Sequence, residues 1–257
     1  MSLLAKNSYG RWPSKTILML CLGVVLFVAP FADNAYGQKK FSRIFPASQN
    51  VRLQLLNRSG TVTVEGWNRP QVSISASLEV PAANINPQVI EGTILINLVK
   101  ENQGREIGNV NFTIRVPYTS SVDIETLIGN LSVTNVRGGL VRAHISSEGD
   151  ITLTNISAFA VQAQNGIGDL FFDGEFQSGG NYRFTSIRGA INIRIPFNSS
   201  FKLVATAPST RNISLGPFST NGMNFFSEGR RVVGKFGDGN STLTVTNQRG
   251  SISFLRR

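Results

Sequence analysis

A glycine, then a small or polar residue, then an alternating apolar strand returns about every twenty residues along this chain. It reads Gly129-Asn-Leu-Ser-Val, Gly149-Asp-Ile-Thr-Leu, Gly168-Asp-Leu-Phe-Phe and Gly189-Ala-Ile-Asn-Ile, at spacings of 20, 19 and 21 residues. Further copies stand at Gly60-Thr-Val-Thr-Val, Gly92-Thr-Ile-Leu-Ile and Gly250-Ser-Ile-Ser-Phe. A period of this length marks a solenoid, because one such unit can bury its apolar side only by stacking on the next.

Ahead of each glycine lies a second alternating segment, such as Val122-Asp-Ile124, Val141-Arg-Ala143-His-Ile145, Val161-Gln-Ala163-Gln, Tyr182-Arg-Phe184 and Phe201-Lys-Leu203. Alternation with period two buries one side of a strand and wets the other. It predicts an outward polar column of Asp123, Arg142, Gln162, Arg183 and Lys202. Asn135 and Asn155 fall six residues after their repeat glycine, and Gly66 and Gly174 fill that place in other copies. Both residue types tolerate a left-handed backbone, so these are corners. The expected fold is therefore all-β, a right-handed parallel β-helix of about twenty-residue coils over residues 51–257.

The ends read differently. Lys6, Arg11 and Lys15 precede an apolar run from Ile17 to Ala29, which Pro30 ends, and Ala35-Tyr36-Gly37 supplies small residues. This is the pattern of a secretory signal peptide over residues 1–37, cleaved after Gly37. The run is short of the roughly 20 residues that span a bilayer as a helix, so no integral span is expected after cleavage. Residues 38–50 read as a linker or N-terminal cap. Residues 208–236 lose the twenty-residue beat and read as an irregular loop or cap, with Phe225, Phe226, Arg230 and Arg231 as the expected partner-binding group.

The sole cysteine, Cys21, lies in the leader, so disulfides and thiolate chemistry are excluded from the rest of the chain. The formal net charge is +10, and Lys6, Arg11, Lys15 and Asp33 fall within 1–37, which leaves +8 beyond it. That excess favours anionic partners. No recognition motif accompanies it, so nucleic acid is not expected.

His144 is the single histidine, and with no cysteine beside it zinc or iron sites are not expected. No Gly-x-Ser-x-Gly elbow offers it a nucleophile. Asp150 and Asp169 each follow a repeat glycine, so stacking brings them to about 5 Å, with Asn130 extending the row. Carboxylates that close suit a retaining glycosidase, or calcium ligation with Asp173 and Glu175 nearby. They equally suit ordinary turn chemistry on a wet surface. Gly237-Asp238-Gly239 precedes a strand rather than a helix, so it reads as a turn and not a phosphate cradle.

The segment Asn57-Arg-Ser-Gly60-Thr-Val-Thr-Val-Glu-Gly66 resembles the opening strand of the bacterial putative-adhesin family, also called toastrack domains. Gly237 to Ser253 resembles its closing segment, and the Gly-x-Ile-x-Ile strands between them match its internal coils. The resemblance covers about residues 50–254. It implies an exported or membrane-attached right-handed parallel β-helix with no established catalysis and no catalytic residues to carry over, some members being linked to envelope-stress systems.

Together these observations predict a non-catalytic, exported adhesin-like module at the periplasm or cell surface, needing no cofactor, whose partner is a surface polymer or envelope protein. The alternatives are a carbohydrate-active enzyme, a lyase or hydrolase built on the Asp150 and Asp169 row, and an accessory subunit of an envelope-stress sensor.

Overall fold

The computed structural model describes residues 38–257 apart from Gln49. The signal peptide expected over residues 1–37 lies outside the described residues. Within Gln38–Arg257 the regular secondary structure is almost entirely strand, arranged as two mostly parallel sheets that share one core.

The chain alternates between the sheets. Ser121–Ile128, Leu140–Glu148, Ala160–Ile167 and Asn181–Arg188 are neighbours in an eleven-stranded sheet. Leu131–Thr134, Ile151–Ile156, Leu170–Gly174 and Ile191–Ile195 are neighbours in a ten-stranded one. Every pass of about twenty residues thus adds one strand to each sheet. The registers follow the repeat: Val122, Val141, Val161 and Tyr182 pair in turn, as do Leu131, Ile151, Leu170 and Ile191. All eight are buried between the sheets.

The corner between the two sheets explains the glycines. Gly60, Gly129, Gly149, Gly168 and Gly189 have φ of 110°, 116°, 146°, 134° and 121°. Each from Gly129 onward sits against the carbonyl of the glycine before it in the stack, Gly129 on Gly60 and the others on the glycine one repeat earlier, where an added Cβ would overlap that oxygen. Both the backbone conformation and the close approach demand a residue without a side chain. A second corner carries Asn135 and Asn155 at φ of 61° and 53°, with Asn155 Nδ2 donating to Asn135 Oδ1 at 2.7 Å.

A buried polar column closes the sheet-to-corner junction. Thr126, Asn165, Ser186 and Asn247 follow the apolar core positions in their strands, and each donates to corner carbonyls. Asn247 Nδ2 reaches both Gly189 O and Ser251 O, at 2.7 and 2.9 Å. Gly149 O and Gly189 O gain a partner from Asn165 and Asn247, a bond worth about 1–3 kcal/mol where a carbonyl is buried, while Ile128 O and Arg188 O also accept from Gly60 N and Gly168 N.

The order of strands departs from the order of the chain at both ends. Ser241–Arg249 and Ile252–Arg256 insert beside Asn181–Arg188 and Ile191–Ile195, ahead of Phe201–Thr206. Val204 therefore stands in register with Thr244 and Arg183, while Lys202 faces Thr242. The outward column expected from the sequence is Asp123, Arg142, Gln162 and Arg183 in fact, but Lys202 belongs to the next row. The beat of twenty residues assumes that neighbours in sequence are neighbours in space, and here a later segment comes between them.

Antiparallel strands finish each end. Within residues 38–50, Lys39–Pro46 is the outer strand of the ten-stranded sheet and pairs antiparallel with Gln71–Leu78, which pairs antiparallel with Val110–Pro117. Within residues 208–236, the antiparallel hairpin Met223–Phe226 and Arg231–Phe236 edges the eleven-stranded sheet, whereas Ile213–Ser214 edges the ten-stranded one by a short parallel pairing with Ile252–Arg256.

Replacing Ile151 by alanine removes one member of a fully packed column and should lower stability by about 3 kcal/mol in urea titration. Gly149→Ala should cost at least as much, because the neighbouring backbone must move to admit the methyl group.

Candidate functional site

The row that follows the corner glycines is a ladder of side chain to backbone bonds. Asn130 Oδ1 accepts from Asp150 N at 2.9 Å, Asp150 Oδ1 from Asp169 N at 2.8 Å, and Asp169 Oδ1 from Ala190 N at 2.7 Å. Each side chain thus holds the amide of the next repeat at the point where the chain enters the ten-stranded sheet. The stacking expected of Asp150 and Asp169 is present. One oxygen of each carboxylate is engaged with backbone, the same work that the amide oxygen of Asn130 performs.

Asp173 and Glu175 lie elsewhere. Asp173 is nearly buried and meets Arg194 Nη2 at 2.9 Å and Arg257 Nε at 3.4 Å, and Arg257 Nη1 reaches Glu175 Oε1 at 3.5 Å. The hydrogen bond and the charge of Asp173 hold the Arg194 guanidinium above its ordinary pKa. Arg194 also lies 5.4 Å over the Phe171 ring. On the opposite sheet Asp123 is matched in the same way, with Arg52 Nη2 at 3.0 Å and Arg142 Nη1 at 3.3 Å. The sequence placed Asp123 outward and wet; it does face outward, yet the two arginines cover it, leaving 5% exposed. A carboxylate so enclosed needs both partners, since removing them would strand a buried charge.

His144 stands in register with Glu125 and Gln164, its Nδ1 3.8 Å from Glu125 Oε1. With Arg142, Gln162 and Arg183 it lines a shallow groove of about 120 Å³ on the outer face. A larger cleft of about 380 Å³ lies between Glu175, Phe176, Asn198, Ser200 and Asn240. No group of three or more His, Cys, Asp or Glu side chains among the described residues is placed to hold a metal ion.

Sequence reading missed a hydroxyl row on the outer face of the ten-stranded sheet. Ser42, Ser75, Thr113, Thr63, Ser132 and Thr152 are register partners across six adjacent strands. Phe171, Asn192, Ser253 and Ser214 continue the line to the far edge. At about 4.8 Å per strand the row is roughly 43 Å long. Three of its strands come from segments without the repeat, so only the pairing reveals it.

The end hairpin holds the four residues singled out as a partner-binding group. Phe225 and Phe226 are 52% and 50% exposed on the outermost strand, Phe226 in register with Arg231. Arg230 and Arg231 are exposed beside them. The turn between the strands places Ser227, Glu228 and Gly229 at φ of 51°, 56° and 85°.

Tyr182, fully buried, packs against Phe176 of the 380 Å³ cleft, and its hydroxyl donates to Ala158 O at 3.0 Å and accepts from Gln177 N at 2.6 Å. Burial raises its phenol pKa above the ordinary 10.0, and the Gln177 bond opposes this more weakly. A raised folded-state pKa contributes stability that is whole below pH 10 and is lost as pH rises through the folded value. Tyr182→Phe should flatten that alkaline fall in urea unfolding between about pH 8 and about pH 11. At neutral pH it should cost about 1–2 kcal/mol for the amide left unbonded.

Asp150→Asn preserves the accepting oxygen and should leave stability within about 0.5 kcal/mol of the parent, whereas Asp150→Ala should lose about 1 kcal/mol. Thermal melts of the pair distinguish a backbone-capping role from any role that needs the charge.

No protein-family model and no curated protein matches the chain. Among solved structures it is similar to a putative cell adhesion protein from Clostridium sporogenes, at 13% identity and a TM-score of 0.49, over 86% of this chain and 100% of that one. It is similar to a putative adhesin from Bacteroides fragilis at 10% identity and a TM-score of 0.38, over 85% and 97% of the two chains. A putative lipid binding protein from Parabacteroides distasonis matches at 10% identity and a TM-score of 0.37, over 86% and 95%. Likenesses at these values transfer no function to this chain.

Proposed function

We propose that this chain is an exported, non-catalytic, adhesin-like binding module at the periplasm or cell surface, built as a right-handed parallel β-helix. The observation that carries this reading is the hydroxyl row from Ser42 to Thr152, an outward-facing polar line, exposed at Ser42 and Thr113 and half-buried at the others, that a regular polymer can follow from strand to strand. The occupant is a cell-surface polymer, and the end hairpin with Phe225, Phe226, Arg230 and Arg231 provides a second contact surface.

Against a hydrolase or lyase stands the use made of the acids. Asp150 and Asp169 accept from backbone amides, and Asp173 and Glu175 take arginines. A proton donor in such a reaction needs a carboxyl free to reach a leaving oxygen.

Two measurements test the reading. Envelope polysaccharide immobilised on beads should retain the protein, and Ser132→Lys with Thr152→Lys should reduce retention by roughly tenfold without moving the melting temperature. Incubation with a polysaccharide panel should release neither reducing ends nor unsaturated product. Turnover that disappears in Asp150→Asn would replace the binding reading with a carbohydrate-active enzyme.

A further inference from the structure

The positive charge of the folded unit is confined to one end. Residues 38–175 contain 11 Lys and Arg against 12 Asp and Glu, whereas residues 176–257 contain 11 against only Glu228 and Asp238. The second group of residues builds the far end of both sheets: Asn181–Arg188, Ile191–Ile195, the inserted Ser241–Arg256 region, and the outer strands beyond it. The rest of the molecule is close to neutral, so the +8 is a field at one end of the stack rather than a general solubilising charge.

On the outer face of that end the cations are placed against each other. Lys202 and Lys235 are direct cross-strand partners, and the neighbour of Lys202 on its other side is Thr242. Both lysine stems lie over Gly239, so the two chains run close together. Like charges directly opposite are destabilising in a sheet. Four residues along the same strand, Arg231 pairs with Thr206 on one side and Phe226 on the other. Val204 and Val233, half-buried, lie between these two rows. None of Lys202, Arg230, Arg231 and Lys235 has an acidic partner within 4 Å among the described residues; Glu228 is taken by Arg211 at 2.8 Å.

We propose that this end of the protein docks on an anionic lipid bilayer, with Phe225 and Phe226 entering the headgroup boundary and Lys202, Lys235, Arg230 and Arg231 meeting lipid phosphates. The apolar pair decides between partners. Phe226 shares the outer face with Arg231, and Phe225, in register with the buried Val232, lies on the other face of the same edge strand. Both rings, half exposed at the tip of the hairpin, gain by leaving water when the strand edge enters the interfacial zone of a bilayer. A soluble polyanion would meet the cations and offer the rings nothing. A second copy docking through the same surface would bring two positive ends together. Each cation near an anionic leaflet contributes about fivefold in affinity, and the attraction weakens as salt screens it.

This inference rests on the proposed export only in requiring contact with a membrane; its surface is separate from the hydroxyl row. The test uses residues 38–257, which contain every strand of both sheets and form one compact unit. The protein should co-sediment with vesicles of mixed phosphatidylglycerol and phosphatidylcholine at low salt, less at high salt, and not with phosphatidylcholine alone. Lys235→Gln should weaken binding about fivefold. It should leave the melting temperature unchanged or raised, since it relieves the pair with Lys202. Phe225→Ser with Phe226→Ser should weaken binding further, at an unchanged melting temperature.

Failure to bind the anionic vesicles overturns the inference. So does undiminished vesicle binding by the phenylalanine variant, which would mean adsorption by charge alone. Retention on envelope polysaccharide without vesicle binding removes this inference and leaves the proposed function standing, and the opposite result removes the hydroxyl-row reading instead.

Discussion

The packing of one corner glycine on the carbonyl of the last is the contact on which this structure depends. It sets how closely successive repeats approach, and thereby the register of both sheets. A strand that slipped by one residue would turn Val141, Ala143 and Ile145 outward and drive Arg142 and His144 into the core. The slip is opposed at three levels. The glycine column admits only glycine, the Asn130, Asp150 and Asp169 ladder fastens each amide as it leaves the corner, and Asn165 and Asn247 bond Gly149 O and Gly189 O from inside. Apolar columns alone would hold the sheets together but would tolerate alternative pairings. The polar ladders make one register the only one in which the corners are bonded.

What the sequence made legible was the part governed by short-range rules. Gly129 to Gly189 and the alternation on either side of them report the period and the buried positions directly, since each repeat repeats the same local problem. The proximity of Asp150 and Asp169 followed from the same rule. Their engagement did not: a carboxylate after a glycine can face water, a metal or an amide, and only the backbone of the next repeat settles which. Lys202 shows where the rule stops. Its strand reads like its predecessors, yet Ser241–Arg249 returns from forty residues later to lie between them. No local signal distinguishes a strand added in order from one left a place open. The hydroxyl row was hidden for the same reason, because half of it comes from strands 39–46, 71–78 and 110–117, which pair antiparallel or out of sequence order.

The acids of this protein are largely spent on holding the fold. Asp123 and Asp173, one on each sheet, are each covered by two arginines that start on different strands, so they act as rivets across neighbouring repeats. Such pairs bring little net stability once desolvation is counted. Their geometric effect is larger, because an arginine that must reach a carboxylate on the next strand fixes which strand that is. The net charge has a compositional cause instead: Glu228 and Asp238 are the acids of residues 176–257, so cations there are left without partners.

The two ends meet the common problem of open strands in opposite ways. Lys39–Pro46 presents Lys39, Lys40 and Arg43 and finishes on proline, which are the usual devices that stop an edge from recruiting another strand. The hairpin at the other end puts cations on its inner strand and leaves Phe225 and Phe226 on the outermost one. Exposed apolar side chains stand on edge strands at both ends, Ile44, Val89 and Ile90 at the first and Phe225 and Phe226 at the second. What sets the second end apart as a surface shaped for contact is the uncompensated Lys202 and Lys235 pair beside its rings. The hydroxyl face runs between the two ends on the other sheet, so a molecule held at its basic end by a bilayer could still present that face along its length to a polymer.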